Sequence, residues 1–465
     1  MALTRRQVVA GAAAGALGAA GVYELVDRLA GSTPARSEVT GLPQEQHVLD
    51  GLAVVEDNGV EVLVPPLHHE VVTAKVHAAD LRRAQRELED ALVELERRYP
   101  PSPAGLGVTV AWGLPYFRRH VGRRAGLHLP VDRRASRTKR KPVGALIDAI
   151  RFPSDPPETV LDSNDVAVLL RSDTRAHVLD GERMLLRDLD VFEATSIRRG
   201  FVGGDFRSGR SLVKRMAQAA GVGGADLIPD NAELFLGFTS TQRAALGPRR
   251  IANLETLGYV DLGPRGYFRN GTHMHLSHVF EDLEAWYLNF DFRERVDTAF
   301  RPGLAVGPGT VTVRQAPADV VSTDRLRRSF AHTGRIGHSG AIQPTSRLAA
   351  DVVADDGTVY ARGTAVPQRA DFNTLDNPFA WSAAPARDGM QDGAAAGIHF
   401  VVFNPTSDDF HRNRLAMDGI LPDGSRLPLP PRARGQGFNA VLTTTHRQNF
   451  LVPPRRHRSF PLAEL

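Results

Sequence analysis

Three histidines lie close together near the middle of the chain, at His273, His275 and His278, and Glu281 follows them. On a β-strand His273 and His275 would project from the same face, because successive side chains alternate between the two faces. A helix that begins near Ser277 would place His278 in its first turn. Imidazole and carboxylate groups bind zinc, copper and non-haem iron. The cluster is therefore a candidate metal site, although its spacing matches no strict metal motif, and a hydrogen-bonded structural cluster is the alternative.

A further histidine, His338, stands apart from this cluster with Gly334 and Gly337 just before it. Glycines allow a planar ligand to approach the backbone closely, but they are also common near turns. The chain contains no cysteine. This excludes disulfides, thiolate metal ligands and cysteine-held iron–sulfur clusters. Any metal or cofactor must therefore be held by histidine, carboxylate or another non-thiol ligand.

The elements that would position these groups alternate along the chain. An amphipathic helix is expected over 78–98, where leucines recur between charged residues and a proline pair follows. Strands are expected over 107–113, 165–171, 309–313 and 397–404, and helices over 174–186 and 408–417. The strand–turn–helix pairs at 165–186 and 397–417 are alike in type, which indicates two halves of similar α+β or α/β architecture.

The composition is that of a globular protein, with 42% hydrophobic residues and a net charge of +4. A basic run extends over 133–141, but no aromatic residues interleave with it and no nucleic-acid motif surrounds it. We interpret this run as a solvated loop and expect no nucleic-acid partner. The sequence also contains neither a hydrolase nucleophile elbow nor a dinucleotide fingerprint after a strand.

The N-terminus carries the paired arginines Arg5 and Arg6 ahead of an apolar, Ala- and Gly-rich run over 8–22. These are the parts of a twin-arginine signal, and the run is short for a bilayer span. We therefore expect the twin-arginine translocase to export the folded protein to the periplasm, the cell surface or the medium. Cleavage is expected near Thr33–Ala35, and an uncleaved N-terminal anchor is the alternative.

Four segments resemble, in the same order, segments of the dye-decolourising (DyP-type) peroxidases. They are the opening strand Gly105–Gly113, the strand Asp165–Leu170 with its acidic turn, the late strand Gly397–Asn404, and Thr443–His446 with Pro453-Pro454. The resemblance implies an α+β fold of two ferredoxin-like lobes of the dimeric α+β barrel type, with antiparallel sheets and haem b in the C-terminal lobe. The implied division is a signal or anchor (1–35), a linker and N-terminal helix (36–99), an N-terminal lobe (100–235), a His- and aromatic-rich connection (236–300) and a C-terminal lobe (301–465).

The resemblance also implies roles for individual residues of the C-terminal half. His338, in the string Arg335-Ile336-Gly337-His338, takes the place of the haem-iron ligand, and Arg347 lies at the end of the segment that follows. The second ring nitrogen of His338 needs an acceptor, for which Asp355 and Asp356 are equal candidates. Arg362 fits the position of an arginine that stabilises the charge of cleaving peroxide.

One position departs from the pattern of that family. Where its Gly-x-x-Asp-Gly signature is expected, the chain reads Gly237-Phe238-Thr239-Ser240-Thr241, so Ser240 stands in place of the acid. A neutral serine does not act as an acid–base group at ordinary pH. We therefore consider that peroxidase activity could be weakened, or that another side chain takes over this role; a histidine of the 273–278 cluster is one candidate.

The resemblance implies an exported haem b protein that reduces hydrogen peroxide and oxidises a small organic reductant. Two alternatives stay open. One is a haem-binding or carrier protein on the same fold without peroxidase chemistry. The other is a non-haem metalloprotein that uses His273, His275 and His278. A homo-oligomer is also compatible with the sequence.

Overall fold

The computed structural model of the chain describes residues 21–31, 33–39, 41–202, 209–314, 322–378 and 393–465. The arginine pair at positions 5 and 6 and most of the apolar run therefore lie outside the described residues. Within these ranges, no helix has the length and apolar character needed to cross a bilayer.

Eight antiparallel strands close into a barrel, and they are numbered here in chain order. They are β1 (His68–Val76), β2 (Gly107–Gly113), β3 (Val166–Ser172), β4 (Phe192–Phe201), β5 (Thr272–Glu281), β6 (Phe372–Thr374), β7 (Gly397–Asn404) and β8 (Leu442–Val452). Around the barrel the order is β5-β7-β6-β4-β1-β3-β2-β8, and β8 pairs again with β5. The closed ring leaves none of these eight strands as a free edge.

The barrel consists of two units with the same topology. The first unit has the strand order β4-β1-β3-β2, and the second has the order β8-β5-β7-β6. Each follows the chain order strand, helix, strand, strand, helix, strand, which is the ferredoxin-like arrangement. The units meet where Trp112 of β2 pairs with Leu451 of β8 and where Phe201 of β4 pairs with Asn373 of β6. The expected α+β fold with two ferredoxin-like lobes and antiparallel sheets is confirmed.

The helices cover the outside of the barrel. In the first unit α1 (Leu81–Arg98) and α2 (Arg175–Glu182) do so; in the second, several helices follow β5, among them α3 (His338–Ser346), and α4 (Ser407–Met417) follows β7. Helix α1 begins where the Asp80 side chain accepts hydrogen bonds from two backbone N–H groups. It buries Leu88, Leu92 and Leu95 on one face, each a gain of about 1.5–3 kcal/mol.

The remaining elements are short or peripheral. The other α-helices are Val26–Leu29, Leu114–Tyr116, Ala125–His128, Arg133–Lys139, Leu212–Ala219, Leu283–Asn289, Phe292–Ala299 and Thr323–Thr333. The other strands are Ala53–Asp57, Val60–Val64, Val131–Asp132, Val160–Leu161, Val260–Asp261, Val352–Val353, Val359–Tyr360 and Gln368–Arg369.

Several sequence-based boundaries differ from the structure. The first unit begins with β1 at His68, inside the segment expected to be a linker and helix, and the second begins with β5 at Thr272, inside the expected connection. The strand expected over 309–313 does not form. Gly309 has a φ of 78°, and Val311 meets the loop at Thr239 through one backbone hydrogen bond instead of a ladder. A β-branched run without a partner strand does not make a strand.

Candidate functional site

A large cavity lies between the outer face of β5, β7 and β8 and the helices α3 and α4. The empty space between its walls measures about 1800 Å³, including the part that opens to solvent. Most of the wall is apolar. Its apolar side chains include Leu236, Phe238, Val279, Phe300, Ile342, Ile398, Phe400, Val402, Phe410, Met417 and Phe438.

His338 is the first residue of α3 and lines this cavity. Its ring lies 4.8 Å from the ring of Phe438, centroid to centroid, and its Nδ1 is buried without a hydrogen-bond partner among the described residues. Burial, with the charges of Arg369 and Arg414, lowers the pKa of His338 to about 4. The imidazole is therefore neutral at ordinary pH, which is the form that binds a metal.

The glycine that precedes His338 is needed where it lies. A Cβ on Gly337 would come within 2.4 Å of the Phe300 carbonyl oxygen and 2.5 Å of the Asp297 carbonyl oxygen. Only a residue without a Cβ lets the start of α3 pack this closely on the helix Phe292–Ala299 and on Phe300, which follows it. The backbone at Gly337 therefore fixes where the His338 side chain enters the cavity.

Four arginines also line the cavity. Arg347 donates from Nη1 to the Gly363 carbonyl oxygen at 2.7 Å, and Arg414 donates to Asp418 at 2.9 Å. Arg447 donates to Asp155 at 2.6 Å. The fourth, Arg369, belongs to the short strand Gln368–Arg369 that pairs with β7, and it donates to the backbone carbonyl of Ser240. These four cations are part of the polar share of the cavity wall.

Ser240 and Arg347 therefore lie in the cavity wall together with His338. Arg362, in contrast, lies on an exposed turn where its backbone N–H donates to Asp351 Oδ1 at 2.7 Å, and it does not line the cavity. Position along the chain suggested Arg362, but the pairing with β7 brings in Arg369 instead.

The two carboxylates proposed to support His338 do not reach it. Asp355 and Asp356 lie in the turn between the short strands Val352–Val353 and Val359–Tyr360. The Asp355 side chain is 87% exposed, and Asp356 accepts a hydrogen bond from the backbone of Thr358 at 3.0 Å. This hairpin projects into solvent, so neither residue contacts His338.

The three clustered histidines are separated by the strand that carries them. His275 donates from Nδ1 to Asn449 Oδ1 at 2.7 Å and stacks on the ring of Phe410 at 3.5 Å. His278 projects into the barrel, where its ring lies 4.3 Å from that of His399. The expectation that a helix begins near Ser277 is wrong, because β5 continues to Glu281 and so places position 278 on the opposite face.

His273 shares the outer face of β5 with His275, and burial lowers the pKa of His273 to about 4. In the part of the chain that the structure describes, no group of three or more His, Asp or Glu side chains is arranged to hold a metal ion. The cluster at 273, 275 and 278 is therefore a buried structural feature, and it does not form the metal site that its sequence spacing suggested.

Two carboxyl groups, those of the buried Glu281 and the half-buried Asp371, line the cavity and were not singled out from the sequence as cavity residues. Glu281 is the last residue of β5, and Asp371 lies directly before β6. Burial, together with the charge of Asp371, raises the pKa of Glu281 to about 8. Burial also raises the pKa of Asp371, against the opposing effect of Arg369. The alternation Arg369-Ala370-Asp371 could have indicated that Arg369 and Asp371 lie on the same side, because residues two apart on an extended segment share a face.

A third carboxylate of the cavity wall, that of Asp155, accepts hydrogen bonds from three groups. It accepts from Arg447 at 2.6 Å, from Arg414 at 3.4 Å and from the backbone of Phe152 at 2.7 Å. These donors hold Asp155 as a structural ion-pair partner at one edge of the cavity.

Comparison with known proteins gives a family and a set of similar structures. The model of a family of unknown function, DUF7405, matches residues 66–454. None of the curated proteins matches the chain.

The similar structures have low sequence identity to this chain. A DyP-type peroxidase from Cellulomonas bogoriensis is 16% identical, with 89% of this chain and 96% of that chain covered and a TM-score of 0.49. DyPB from Rhodococcus jostii RHA1 is 13% identical, with 86% and 96% covered and a TM-score of 0.49. A variant of the Rhodococcus jostii protein in complex with haem is 14% identical, with 85% and 96% covered and a TM-score of 0.48.

Proposed function

Since the chain belongs to DUF7405, a family whose function is unknown, we propose from its own site that it is a haem b protein that reduces hydrogen peroxide. The observation that carries this proposal is the neutral imidazole of His338, which faces a large apolar cavity and whose buried Nδ1 has no partner among the described residues. The resemblance of the sequence to the DyP-type peroxidases points to the same residue. A small organic molecule would serve as the reductant.

The residues around the cavity fit a haem group. Haem b presents a broad apolar ring, an iron atom and two carboxylates. The cavity offers apolar walls for the ring, the imidazole of His338 for the iron and the guanidinium of Arg347 for a carboxylate. Among the described residues the side chain of Arg347 is hydrogen-bonded through Nη1 alone, so its other N–H groups are available. When bound, the haem iron would supply the redox chemistry that reduces peroxide with electrons from the organic reductant.

The protein's own contribution is positioning, charge and exclusion of water. The apolar wall keeps water from the reacting centre, which strengthens the electrostatic interactions inside the cavity. Arg369 places a fixed positive charge in the cavity wall, and its effect on the pKa of His338 indicates that the two groups interact. Such a cation stabilises the negative charge that develops on the oxygen that leaves when peroxide is cleaved.

A haem-binding protein without peroxidase activity is the second candidate. It is favoured by Ser240, which lines the cavity at the place where the resembling family has an acid. Haem binding and peroxide reduction are therefore tested separately. The absorbance of the purified protein reports the first, and steady-state oxidation of a dye with added peroxide reports the second.

The decisive experiment compares two histidine variants after expression with an ample haem supply. We expect an intense Soret band in the wild type and its loss in His338→Ala. His47→Ala is the control, since His47 is a buried histidine that packs on the ring of Phe403, and neither of these residues lines the cavity. A colourless wild type, or a Soret band unchanged by His338→Ala, would overturn the proposal.

We also propose export through the twin-arginine translocase, as the pair Arg5-Arg6 suggests. A translocase for folded proteins suits a chain whose cofactor is inserted before transport. Replacement of both arginines by lysine keeps the charge, and it is expected to leave the protein in the cytoplasm. Export that continues unchanged would contradict this.

A further inference from the structure

The cavity contains two carboxyl groups that no ion pair holds in place. No hydrogen bond of the Glu281 side chain is found among the described residues, and its Oε2 is buried without a partner. Both groups come from the sheet side of the cavity, whereas His338 enters from the helix side. They therefore face the space in which a ligand of His338 would be bound.

We propose that Glu281 and Asp371, which line the same cavity as His338, act together as the acid–base groups of peroxide reduction, in place of a carboxyl group at position 240. This inference rests on the proposed function, and it names the groups that move the proton. Glu281 is the donor and Asp371 the acceptor.

The groups around the pair support this division of roles. Arg369, two residues from Asp371, favours the charged form of Asp371. The charge of Asp371 adds to burial in raising the pKa of Glu281. The Tyr287 hydroxyl, whose pKa the charge of Glu281 raises, donates to the Phe235 carbonyl oxygen at 2.6 Å, and Arg295 lies over the Tyr287 ring. Two like charges in one apolar site are unfavourable, so one of the two carboxyls keeps a proton.

The other polar groups of the cavity are less suited to this role. Asp155 is bound by Arg414 and Arg447, and Ser240 carries no acid at ordinary pH. His338 is assigned to the iron. Arg347, Arg369, Arg414 and Arg447 stay protonated and can only donate. Among the described groups of the cavity wall, the carboxyl pair is thus the one that can both take up and release a proton.

The proton transfers balance. Asp371 takes the proton from one oxygen of hydrogen peroxide, and Glu281 gives its proton to the other oxygen. The O–O bond breaks, and its electron pair leaves with the second oxygen as water. The oxygen that remains receives two electrons and two protons from the organic reductant and becomes the second water. After this step the proton is on Asp371 and Glu281 is ionised, and return of the proton from Asp371 to Glu281 restores the pair for the next peroxide.

The first test needs no haem. Infrared difference spectra of the haem-free protein at pH 7, wild type minus Glu281→Gln, are expected to contain the C=O stretch of a protonated carboxylic acid that shifts in D₂O. The same difference with Glu255→Gln is the matched control, because Glu255 is a half-buried glutamate outside the cavity. A spectrum without the acid band at pH 7 would overturn the proposal.

The second test uses the haem-loaded protein and rapid mixing with peroxide. The double variant Glu281→Gln/Asp371→Asn is expected to react about 10²–10⁴-fold more slowly than the wild type. Each single variant is expected to be slowed, and Glu255→Gln is expected to react at the wild-type rate. Both substitutions keep side-chain size, and an unchanged Soret band with unchanged circular dichroism verifies that the cavity is intact.

The outcomes separate this inference from the proposed function. If the wild type binds no haem, the proposed function fails and the inference fails with it. If haem is bound and peroxide reacts equally fast in the double variant, the inference alone is wrong. A loss of rate in the double variant, together with the acid band of the wild type, supports both.

Discussion

Tyr23 donates a hydrogen bond of 2.7 Å from its hydroxyl to Oδ1 of Asp376, which lies 353 positions further along the chain. Asp376 also accepts from the backbone of Arg199 at 2.9 Å and lies 3.1 Å from Nε2 of His399. Val22, Tyr23 and Val26 are buried in the same hydrophobic cluster as Met216. The end of the segment expected to be the export signal, from Val22 to Val26, is therefore part of the folded protein.

This contact predicts the consequence of N-terminal truncation. Removal of residues 1–35, as cleavage near Thr33–Ala35 would do, is expected to lower the midpoint of thermal unfolding because it uncovers the cluster around Met216 and leaves Asp376 with one donor fewer. Removal of residues 1–20 is the control. The mass of the exported protein is expected to show that Tyr23 is retained.

A single substitution separates the hydrogen bond from the rest of this segment. Tyr23→Phe keeps the ring in the cluster but removes the donor, so the buried Asp376 loses one partner. We expect a loss of about 1–3 kcal/mol in the free energy of unfolding. Urea unfolding of the variant and the wild type measures it. An unchanged free energy would mean that water or another donor replaces the hydroxyl.

Buried neutral histidines make the fold sensitive to acid. Burial lowers the pKa values of His273 and His338 to about 4 from 6.5. A group whose pKa is lower in the folded state contributes stability above its unfolded pKa, and this stability is lost as the pH falls towards the folded value. Between pH 6.5 and 4 we expect the haem-free protein to lose up to about 1.4 kcal/mol per pH unit for each such histidine.

Urea unfolding at pH 7, 6, 5 and 4 measures this slope. The variant His273→Gln lacks one titrating group, so its free energy of unfolding is expected to change less steeply than that of the wild type over the same range. His332→Gln is the control, because His332 is exposed in the helix Thr323–Thr333. Equal slopes for wild type and His273→Gln would show that His273 titrates normally in the folded state.

The sequence predicted the fold class better than it predicted the boundaries of the units. Strands β2 and β3 are apolar runs buried on both faces, and β7 is an apolar run buried along most of its length, so their composition alone identifies them. Strand β1 was missed because it contains the polar residues His68, His69 and Glu70. These residues are buried in the folded protein, which their residue types do not indicate. Such residues look like part of a linker until the closed barrel is known.

Of the residues expected at the site, His338, Arg347 and Ser240 line the cavity, and other lining residues were not predicted because strand pairing brings them there. The histidine that follows Gly337 was recognised by its local pattern. Arg369 was not singled out because pairing with β7 brings it to the cavity wall, whereas Arg362, chosen from the expected spacing, lies on an exposed turn. The side on which His278 lies was predicted wrongly because a helix was expected to begin near Ser277, where the strand in fact continues. A residue recognised from its immediate neighbours can be predicted despite such errors. A set of side chains brought together from distant strands cannot.

Glu281 gives a second dependence on pH, opposite in sign to that of the histidines. Its pKa is raised to about 8 from 4.5, so the stability it contributes is fully present below pH 4.5 and is lost as the pH rises through 8. In Glu281→Gln this group no longer titrates. We expect urea unfolding of the wild type to show a decline between pH 6 and 8 that is reduced in the variant. Glu255→Gln, outside the cavity, is expected to retain most of the decline, and equal curves for wild type and Glu281→Gln would contradict this assignment.

The cavity arginine can be identified by comparison of two positions in the haem-loaded protein. Arg369→Leu removes the cation that interacts with His338, so the developing charge on the departing oxygen loses its stabilisation. We expect peroxide reduction to slow by about 10²–10³-fold, the usual cost of removing one such group. Arg362→Leu makes the same change on an exposed turn and is expected to leave the rate unaltered. Stopped-flow mixing with peroxide measures both rates, and the Soret band verifies haem loading. If Arg362→Leu slowed peroxide reduction and Arg369→Leu did not, the charge-stabilising residue would be Arg362. The turn after Tyr360 would then have to fold over the cavity.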